Sequence, residues 1–394
     1  MNTTATGKPI GVAVIGAGSI ADLAHFPSIK EIPQTRLLAA CDPVEEYRRR
    51  ATSKWGVPHV YDDYRRMLDH ENDVDLVIVA SPNAFHHQQA VAALQAGKHV
   101  IIEKPFACTN YEAWDIVRTA EKCGRKVMVG CNYRFWEQHL IAKSLIESGV
   151  IGEVRMGSSK SHEGWSLYHE MISATRFRAD PKLAGAGALF DLGSHMADLL
   201  LWFMGKRPKR VCGVATSVAT PRSYTVLDDC VYIQIEFEGG ARGMVELNRY
   251  SPAVTQGCEL LGTEGTILTC SEAQNPFQSA PLAVYSSKDY NWEDLPEIIR
   301  DYRYPQVFWA SDNFDRPLSK RWIPIYPPRG WAYKKLIQQF VSCIVEGKAP
   351  VIQAEDGAWT MEVLCAVFKS MQTDGWVDLP LKEEVVPPQF EKRG

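Results

Sequence analysis

The first third of the chain alternates short apolar runs with segments of helical periodicity. The apolar runs are IGVAVIGAG, RLLAACD, VDLVIVASP, HVIIEKP and KVMVGCN, all between residues 10 and 132. Segments such as HHQQAVAALQAG and YEAWDIVRTAEKCG lie between them and are typical of amphipathic helices. Apolar strands that alternate with helices form a parallel sheet covered on both faces. The pattern therefore predicts a doubly wound α/β domain over residues 9–132.

After residue 132 the strand-like runs become longer and alternate between apolar and polar positions. They are VRMGSSKSHEGW, KRVCGVATSVA, DDCVYIQIEFEGGARGMVELNR and QGCELLGTEGTILTC. The Gly239-Gly240 pair separates two alternating runs, which is a hairpin signal. We expect residues 133–394 to form a second α/β domain with a large, open, mainly antiparallel sheet. An open sheet needs a cover on its exposed face, and a second subunit is one way to provide it.

Residues 275–329 break this pattern because they are rich in both proline and aromatic residues. Proline-rich linkers normally contain few aromatic residues, so we expect an ordered insertion rather than a linker. Its aromatic rings could present flat faces to the C–H groups of a sugar. A small satellite core is the more ordinary explanation of the same residues.

The segment GALFDLGSHMADLLLWFMG, residues 187–205, predicts one amphipathic helix with an unusual polar stripe. The stripe consists of Asp191, His195, Asp198 and Trp202. A solvated helix face usually carries Lys, Glu, Gln or Arg, and none of these occurs in the segment. An Asp one turn before a His can orient the imidazole or share its proton, which acid–base chemistry requires. The stripe therefore predicts a functional face, with simple solvation as the alternative.

A glycine motif directly follows the first predicted strand. Gly16, Gly18 and Ala21 form a G-x-G-x-x-A pattern, in which the glycines permit a tight turn and a close approach of the backbone to a pyrophosphate. The second strand ends in Asp42. Its distance along the chain from the glycine motif is close to the ~20 residues expected for the acid that binds the adenosine ribose. A carboxylate repels a 2′-phosphate, so the pattern predicts NAD, with NADP less favoured. The alternative is a tight glycine turn and an Asp that caps a helix before Pro43.

Further cofactor contacts are expected where the third and fourth strands end, because ligands of open α/β sheets bind at the carboxyl edge. The residues predicted to contact the cofactor are Gly16, Gly18, Ser19, Ile20, Asp42, Ser81, Asn83, His86 and Glu103.

Composition argues against nucleic-acid binding, a membrane span and a cysteine metal site. The 394 residues suggest two domains, or three small ones, and the formal net charge of -4 without a long basic tract does not favour nucleic acid. No apolar run approaches the roughly 20 residues of a membrane span, and the start lacks the pattern of a secretory signal. The ten cysteines contain no C-x-x-C pair, which indicates reduced thiols rather than a metal site. We expect a cytoplasmic protein.

Three of these motifs together resemble the Gfo/Idh/MocA family, named after glucose–fructose oxidoreductase, inositol dehydrogenase and a rhizopine catabolism protein. They are VAVIGAGSIA, SPNAFHHQQAVAALQAGKHVIIEKP and GAGALFDLGSHMADLLLWFMG, in this order. The resemblance implies an N-terminal Rossmann domain, a C-terminal α/β domain with a large open sheet, NAD(P), and a homodimer or homotetramer. It places the family's E-K-P lysine at Lys104 and its D-x-x-x-H pair at Asp191 and His195. Without it, Lys104 reads equally well as a surface lysine beside a proline turn.

The resemblance implies a dehydrogenase that transfers a hydride between a secondary alcohol of a cyclic polyol, sugar or glycoside and NAD. We expect His195 to act as general base, Asp191 to orient it or bind a neighbouring hydroxyl, and Lys104 to stabilise developing alkoxide charge. Oxidation should then rise with pH through a group near or above the free histidine pKa of ~6.5. The residues expected to contact substrate are Lys104, Arg134, His162, Arg178, Asp191 and His195, with Asp198, His169, Arg176 and Lys182 as weaker candidates.

Two alternatives remain open at this stage. One is a glycosidase that uses tightly bound NAD to oxidise a sugar, eliminate the aglycone and reduce the product again. The other is a sugar or dinucleotide sensor without catalytic activity, which the intact Lys104, Asp191 and His195 argue against.

Overall fold

A computed structural model describes residues 8–165, 173–222, 224–270, 280–300, 320 and 322–390. Within these residues the chain forms two sheets, each covered by helices. The predicted domain boundary near residue 132 coincides with a 3-10 turn, Asn132–Phe135, that leads from one sheet towards the other. The domain limits themselves stay a prediction.

The first sheet is parallel throughout and has the doubly wound strand order β3-β2-β1-β4-β5-β6. Its strands are β1 (Ile10–Ile15), β2 (Thr35–Cys41), β3 (His59–Tyr61), β4 (Leu76–Val79), β5 (His99–Ile102) and β6 (Val127–Val129). The order reverses between β1 and β4, where an open α/β sheet forms its ligand crevice at the carboxyl ends of the strands. This confirms the predicted Rossmann architecture.

Helices cover both faces of this sheet. They are α1 (Phe26–Glu31), α2 (Glu45–Trp55), α3 (Tyr64–His70), α4 (His86–Gln95) and α5 (Asn110–Cys123). A π-helical turn, Ala21–His25, directly precedes α1. The residues of β1, β4, β5 and β6 are almost completely buried between the two helix layers, which explains why the sequence shows continuous apolar runs there.

The second sheet has nine strands in the order β14-β13-β12-β11-β7-β10-β9-β8-β15. They are β7 (Val154–His162), β8 (Pro208–Thr216), β9 (Cys230–Phe237), β10 (Arg242–Asn248), β11 (Thr255–Gly262), β12 (Gly265–Cys270), β13 (Leu282–Ser286), β14 (Trp322–Ile325) and β15 (Val377–Asp378). Every pair is antiparallel except β7 with β10, which lie side by side in parallel. The predicted mainly antiparallel sheet is confirmed.

The helices of the second part are α6 (Glu137–Glu147), α7 (Pro181–Ala184), α8 (Ala188–Asp191), α9 (Gly193–Met204), α10 (Glu297–Arg300), α11 (Ala332–Glu346) and α12 (Ala354–Thr373). Helices α9 and α12 pack on the inner face of the sheet. Small residues permit this close approach: a Cβ at Gly157 would lie 2.8 Å from Leu200 of α9, and one at Gly213 would lie 3.2 Å from Val367 of α12. The outer face carries no described helix.

The predicted insertion at 275–329 lies partly outside the described residues. Its described parts add β13, α10 and β14, so they lengthen the sheet by two strands. Among the described residues, no helix is both long and apolar enough to cross a membrane.

Candidate active site

A cleft of about 850 Å³ opens at the carboxyl edge of the first sheet. One part of its wall comes from the loops after β1, β2, β4 and β5, including Gly16, Asp42 and Lys104. The opposite wall comes from the second part of the chain and includes Asp191, His195 and Arg249. The fold thus brings the predicted catalytic residues and most of the predicted cofactor-binding residues into one cavity.

The Asp191 carboxylate is the centre of the polar network in this cleft. Its Oδ1 accepts a hydrogen bond from Lys104 Nζ at 2.5 Å. Its Oδ2 lies 3.3 Å from Arg178 Nη1 and also accepts a hydrogen bond from Arg249 Nη2. Asp191 is only 7% exposed, and the Lys104 and Arg249 side chains are also mostly buried. One buried carboxylate therefore compensates three cations that come from three separate segments.

The three cations set the protonation state of Asp191. Burial alone would raise the pKa of its carboxyl group, but the charges of Arg178, Lys104 and Arg249 outweigh burial and lower that pKa well below its ordinary value. Asp191 is consequently an anion at neutral pH.

The predicted single helix over residues 187–205 is interrupted at Leu192, so that α8 ends at Asp191 and α9 begins at Gly193. Lys104 Nζ donates a second hydrogen bond, at 3.1 Å, to the backbone carbonyl of Asp191. The His195 amide, which would bond that carbonyl in a continuous α-helix, instead donates to Leu192 at 3.1 Å. Leu192 keeps right-handed helical dihedrals, so the helix axis continues while its hydrogen bonding changes. The interruption is thus part of the lysine site.

His195 is buried in the cleft wall and is held in its neutral form. Burial and the positive charge of Lys104 lower the pKa of the imidazole well below its ordinary value. This corrects the expectation of a titration near or above ~6.5. The Nδ1 atom of His195 has no hydrogen-bond partner among the described residues, and both oxygens of Asp191 serve the cations. The expected orientation of His195 by an Asp191 hydrogen bond is therefore not found.

Tyr133, Glu163 and Arg249 are among the cleft residues that the sequence did not predict. Glu163 follows β7 and Arg249 follows β10, and these strands are parallel neighbours with His162 paired to Asn248. Their adjacent ends place both side chains beside Asp191. Burial and the negative charge of Asp191 raise the pKa of the Glu163 carboxyl group, although Arg249 and Arg178 oppose this. A strand-end position was visible in the sequence, but the pairing of β7 with β10 was not.

Most of the residues predicted to contact the cofactor line the same cleft. These are Gly16, Gly18, Ser19, Ile20, Asp42, Ser81, Asn83 and Glu103. Gly16 has φ +93°, and a Cβ there would lie 2.6 Å from Ala80, whereas a Cβ at Gly18 would meet no protein atom within 4 Å. Gly16 therefore serves the turn itself, and Gly18 leaves open space where a pyrophosphate fits.

Asp42 is fixed by two backbone hydrogen bonds at the end of β2, and its side chain does not cap α2, whose N-cap residue is Val44. Its Oδ2 accepts a hydrogen bond from the Ala17 amide at 2.8 Å, and its Oδ1 accepts one from the Val44 amide at 2.9 Å. These bonds fix the carboxylate at the end of β2, in the wall of the cleft. Arg48 donates to the backbone carbonyls of Asp42 and Pro43. Arg48 is thus engaged with backbone, and the Asp42 carboxylate lies in the wall of the cleft.

His86 is a correction to the predicted cofactor set, because it does not line the cleft. It is 1% exposed, with Nδ1 2.7 Å from the Pro105 carbonyl oxygen and Nε2 2.8 Å from the Ser81 carbonyl oxygen. Burial lowers the pKa of its imidazole. His86 therefore connects the loop after β4 to the loop after β5 through these two carbonyl groups. This connection fixes the loop that carries Lys104.

Arg134 and His162 are corrections to the predicted substrate set. Arg134 is 2% exposed, and its Nε and Nη2 donate to Asp198 at 2.8 and 2.6 Å. His162 lies with Nε2 3.0 Å from Glu246 on the neighbouring strand. Neither side chain lines the cleft. The lower half of the polar stripe is accordingly structural: Asp198 pairs with Arg134, and Trp202 lies 5.3 Å from the same guanidinium.

Of the remaining candidates, Arg178 reaches the cleft and Asp191. Arg176 and Lys182 are exposed side chains outside the cleft wall, and His169 lies outside the described residues. Within the described part of the chain, no group of His, Cys, Asp and Glu side chains is arranged to hold a metal ion.

The chain belongs to the Gfo/Idh/MocA oxidoreductase family. Residues 10–131 match the family described as "Oxidoreductase family, NAD-binding Rossmann fold", and residues 139–268 match the "GFO/IDH/MocA C-terminal domain". The two matches together cover more than half of the chain. They confirm the resemblance and the predicted NAD-binding oxidoreductase.

Several relatives are dehydrogenases with named substrates. A levoglucosan dehydrogenase of Pseudarthrobacter phenanthrenivorans is 28% identical over 387 residues, covering 89% of this chain and 90% of that protein. A D-glucoside 3-dehydrogenase of Escherichia coli is 31% identical over 210 residues, covering 52% of this chain and 57% of that protein. A solved levoglucosan dehydrogenase in complex with NADH and levoglucosan superimposes with TM-score 0.77 at 26% identity, covering 95% of this chain and 100% of that one. These similarities confirm the prediction of an NAD-dependent dehydrogenase.

The two glycines of the motif predict two different defects. In Gly16→Ala the new Cβ meets the backbone at Ala80, so we expect a loss of about 1–3 kcal/mol in the free energy of unfolding without cofactor. In Gly18→Ala the new methyl group meets no protein atom, so stability should be unchanged. The methyl group would occupy the space expected for the pyrophosphate, so NADH affinity should fall about tenfold or more. Thermal unfolding without cofactor and NADH fluorescence titration separate the two. Wild-type affinity in Gly18→Ala would place the pyrophosphate elsewhere.

Proposed function

We propose that the protein is an NAD-dependent dehydrogenase that oxidises a secondary alcohol of a cyclic polyol, sugar or glycoside. The observation that carries this proposal is the convergence of Lys104, Asp191 and His195 in the cleft whose other wall contains Gly16, Gly18 and Asp42. Relatives named for levoglucosan, glucosides and inositols support this class of substrate. Bound NAD supplies the acceptor for a hydride; the remaining chemistry falls to the side chains of the cleft.

His195 takes the hydroxyl proton in this proposal. Its neutral imidazole is already the basic form at neutral pH, because burial and Lys104 oppose protonation. The alcohol oxygen gains negative charge as its carbon is oxidised, and a cation next to that oxygen lowers the barrier. Lys104 is suited to this role, since an ammonium has three donors and only two of them are used by the Asp191 carboxylate and carbonyl.

The residues around Asp191 supply groups that can bind the other hydroxyls of a polyol. Arg178 and Arg249 offer donors, while Asp191 offers lone pairs that its cations leave open. Glu163, whose pKa is raised, offers a carboxyl group beside them. Such a dense array of donors and acceptors suits a ring with several adjacent hydroxyl groups better than a simple alcohol.

The experiment that tests this proposal follows absorbance of reduced nicotinamide with NAD or NADP and a panel of inositols, free aldoses, levoglucosan and aryl glycosides. We expect NADH to accumulate with one group of polyols or sugars and with NAD rather than NADP. Aglycone release without NADH would instead support the redox-neutral glycosidase. Binding of NADH without any product would support a sensor and contradict the proposal.

The pH at which kcat/KM rises on the acid side of its pH profile, the acid limb, tests the role of His195. Alcohol oxidation needs the deprotonated imidazole, so kcat/KM rises with pH through the pKa of His195; because that pKa is lowered, the rise should be complete below about pH 6.5. His195→Ala should lose about 10²–10⁴-fold in kcat and lose this limb. Lys104→Met removes a charge that lowers the pKa, so its residual activity should show the limb at higher pH. A wild-type limb above pH 7 would contradict the assignment.

We also propose that a second copy of the chain covers the outer face of the nine-stranded sheet. Met156, Tyr232 and Met244 lie on that face in neighbouring strands and are 45–50% exposed. An exposed apolar surface on an open sheet favours association of identical faces. We expect sedimentation velocity to show a dimer or tetramer that Met244→Asp dissociates; a monomeric wild type would contradict this.

A further inference from the structure

The imidazole of His195 is stacked face to face on an aromatic ring. Its centroid lies 3.9 Å from that of Tyr133, and the two ring planes differ by only 8°. Tyr133 in turn stacks on Trp136 with centroids 4.0 Å apart, and Trp136 stacks on His139 at 5.4 Å. The proposed base is thus the last ring in a column of four, in the order His139, Trp136, Tyr133 and His195. His195 forms the end of this column that lies in the cleft wall.

Among the described residues, His195 lacks the hydrogen bond at its buried ring nitrogen that usually orients a histidine base. In such bases the second ring nitrogen commonly bonds a carboxylate or carbonyl, and that bond sets the ring plane. Nδ1 of His195 is buried and has no such partner among the described residues. The charged groups that face the ring are Lys104, Asp191 and Arg178, and all three belong to the polar network centred on Asp191. The stacked face of Tyr133 constrains the ring plane.

Tyr133 is itself fixed at both ends. Its backbone lies in the 3-10 turn Asn132–Phe135, directly after β6. Its hydroxyl oxygen accepts a hydrogen bond from Gln256 Nε2 at 3.2 Å, and the same amide nitrogen donates to Ser161 Oγ at 2.8 Å. Burial raises the pKa of the phenol to about 12, so the ring stays neutral. The stacking surface offered to His195 is therefore rigid and uncharged.

We infer that Tyr133 is a positioning residue for the reaction: its ring face, rather than a hydrogen bond, sets the orientation of the His195 imidazole. The inference rests on the proposed role of His195 as general base. Its specific consequence is that the reaction needs an aromatic ring at position 133 and needs the phenol hydroxyl much less. A residue that only bound substrate through its hydroxyl would show the opposite dependence.

Two substitutions separate these possibilities. Tyr133→Phe keeps the ring, and we expect kcat within about threefold of wild type, because a well-placed base retains its effective concentration. Tyr133→Leu removes the ring, and kcat should fall about 10–100-fold while KM for NAD stays unchanged, since misplacement by about 1 Å costs up to 10²-fold. The matched control is Trp359→Leu, which removes a ring that packs edge-to-face on Trp114, outside both the cleft and the column. That variant should keep the wild-type kcat.

A spectroscopic readout tests the stack without any turnover. In ¹³C-histidine-labelled protein, the ring protons of His195, assigned by their loss in His195→Gln, should be shifted upfield by the Tyr133 ring in the wild type and in Tyr133→Phe. They should move downfield in Tyr133→Leu. Unchanged shifts in Tyr133→Leu, or a loss of kcat in Tyr133→Phe as large as in Tyr133→Leu, would overturn the inference. A wild type that shows the shift but oxidises no substrate would instead contradict the proposed function and leave the stack established.

Discussion

The organisation of the cleft depends on one buried carboxylate, Asp191, that balances three cations. Lys104 arrives on the loop after β5, Arg178 on a 3-10 turn and Arg249 from the end of β10. Cations that are removed from water in this way are costly unless a counter-charge and hydrogen bonds compensate them. Asp191 provides both, and its own pKa falls in response. The position of Lys104 relative to His195 is a consequence of this arrangement, since both residues are fixed through Asp191 or its helix.

The same network explains the local backbone. Lys104 Nζ donates hydrogen bonds to both the backbone carbonyl and the carboxylate of Asp191. The hydrogen-bonding pattern of the helix changes at the next residue, Leu192. His195 therefore sits in the first turn of α9, buried against Tyr133 and close enough to Lys104 for that charge to lower its pKa. Ion pairing, helix geometry and protonation state are thus coupled at this site, and a change in one is expected to alter the others.

The sequence predicted those parts of the fold and site that depend on neighbours in the chain. The turn at Gly16, the space at Gly18 and the acid at the end of β2 follow from a short motif whose physical requirements are local. The apolar runs of the first sheet were equally readable, because a strand buried on both faces is apolar along its whole length. The stripe of Asp191 and His195 was visible from helical spacing, although its interruption at Leu192 involves Lys104, which lies 87 residues before Asp191.

What the sequence left undetermined is the burial and pairing of polar residues. Arg134 looked like a substrate ligand, but it forms a buried pair with Asp198, and His86 is likewise enclosed between two carbonyl groups. Glu163 and Arg249 were not recognised because their proximity requires the parallel pairing of β7 with β10. Tyr133 was missed for the same reason, since its stacking on His195 joins two distant segments.

The most direct test of the central role of Asp191 is the comparison of turnover and cofactor binding in Asp191→Asn. The asparagine keeps the size of the side chain and removes the charge that compensates Lys104, Arg178 and Arg249. We expect kcat with the substrate found for the wild type to fall by about 10²-fold or more, because the donors at the reacting oxygen lose their alignment. NADH affinity, which depends on the wall around Gly16 and Asp42, should stay within about twofold. Turnover close to that of the wild type would contradict the view that this carboxylate organises the site.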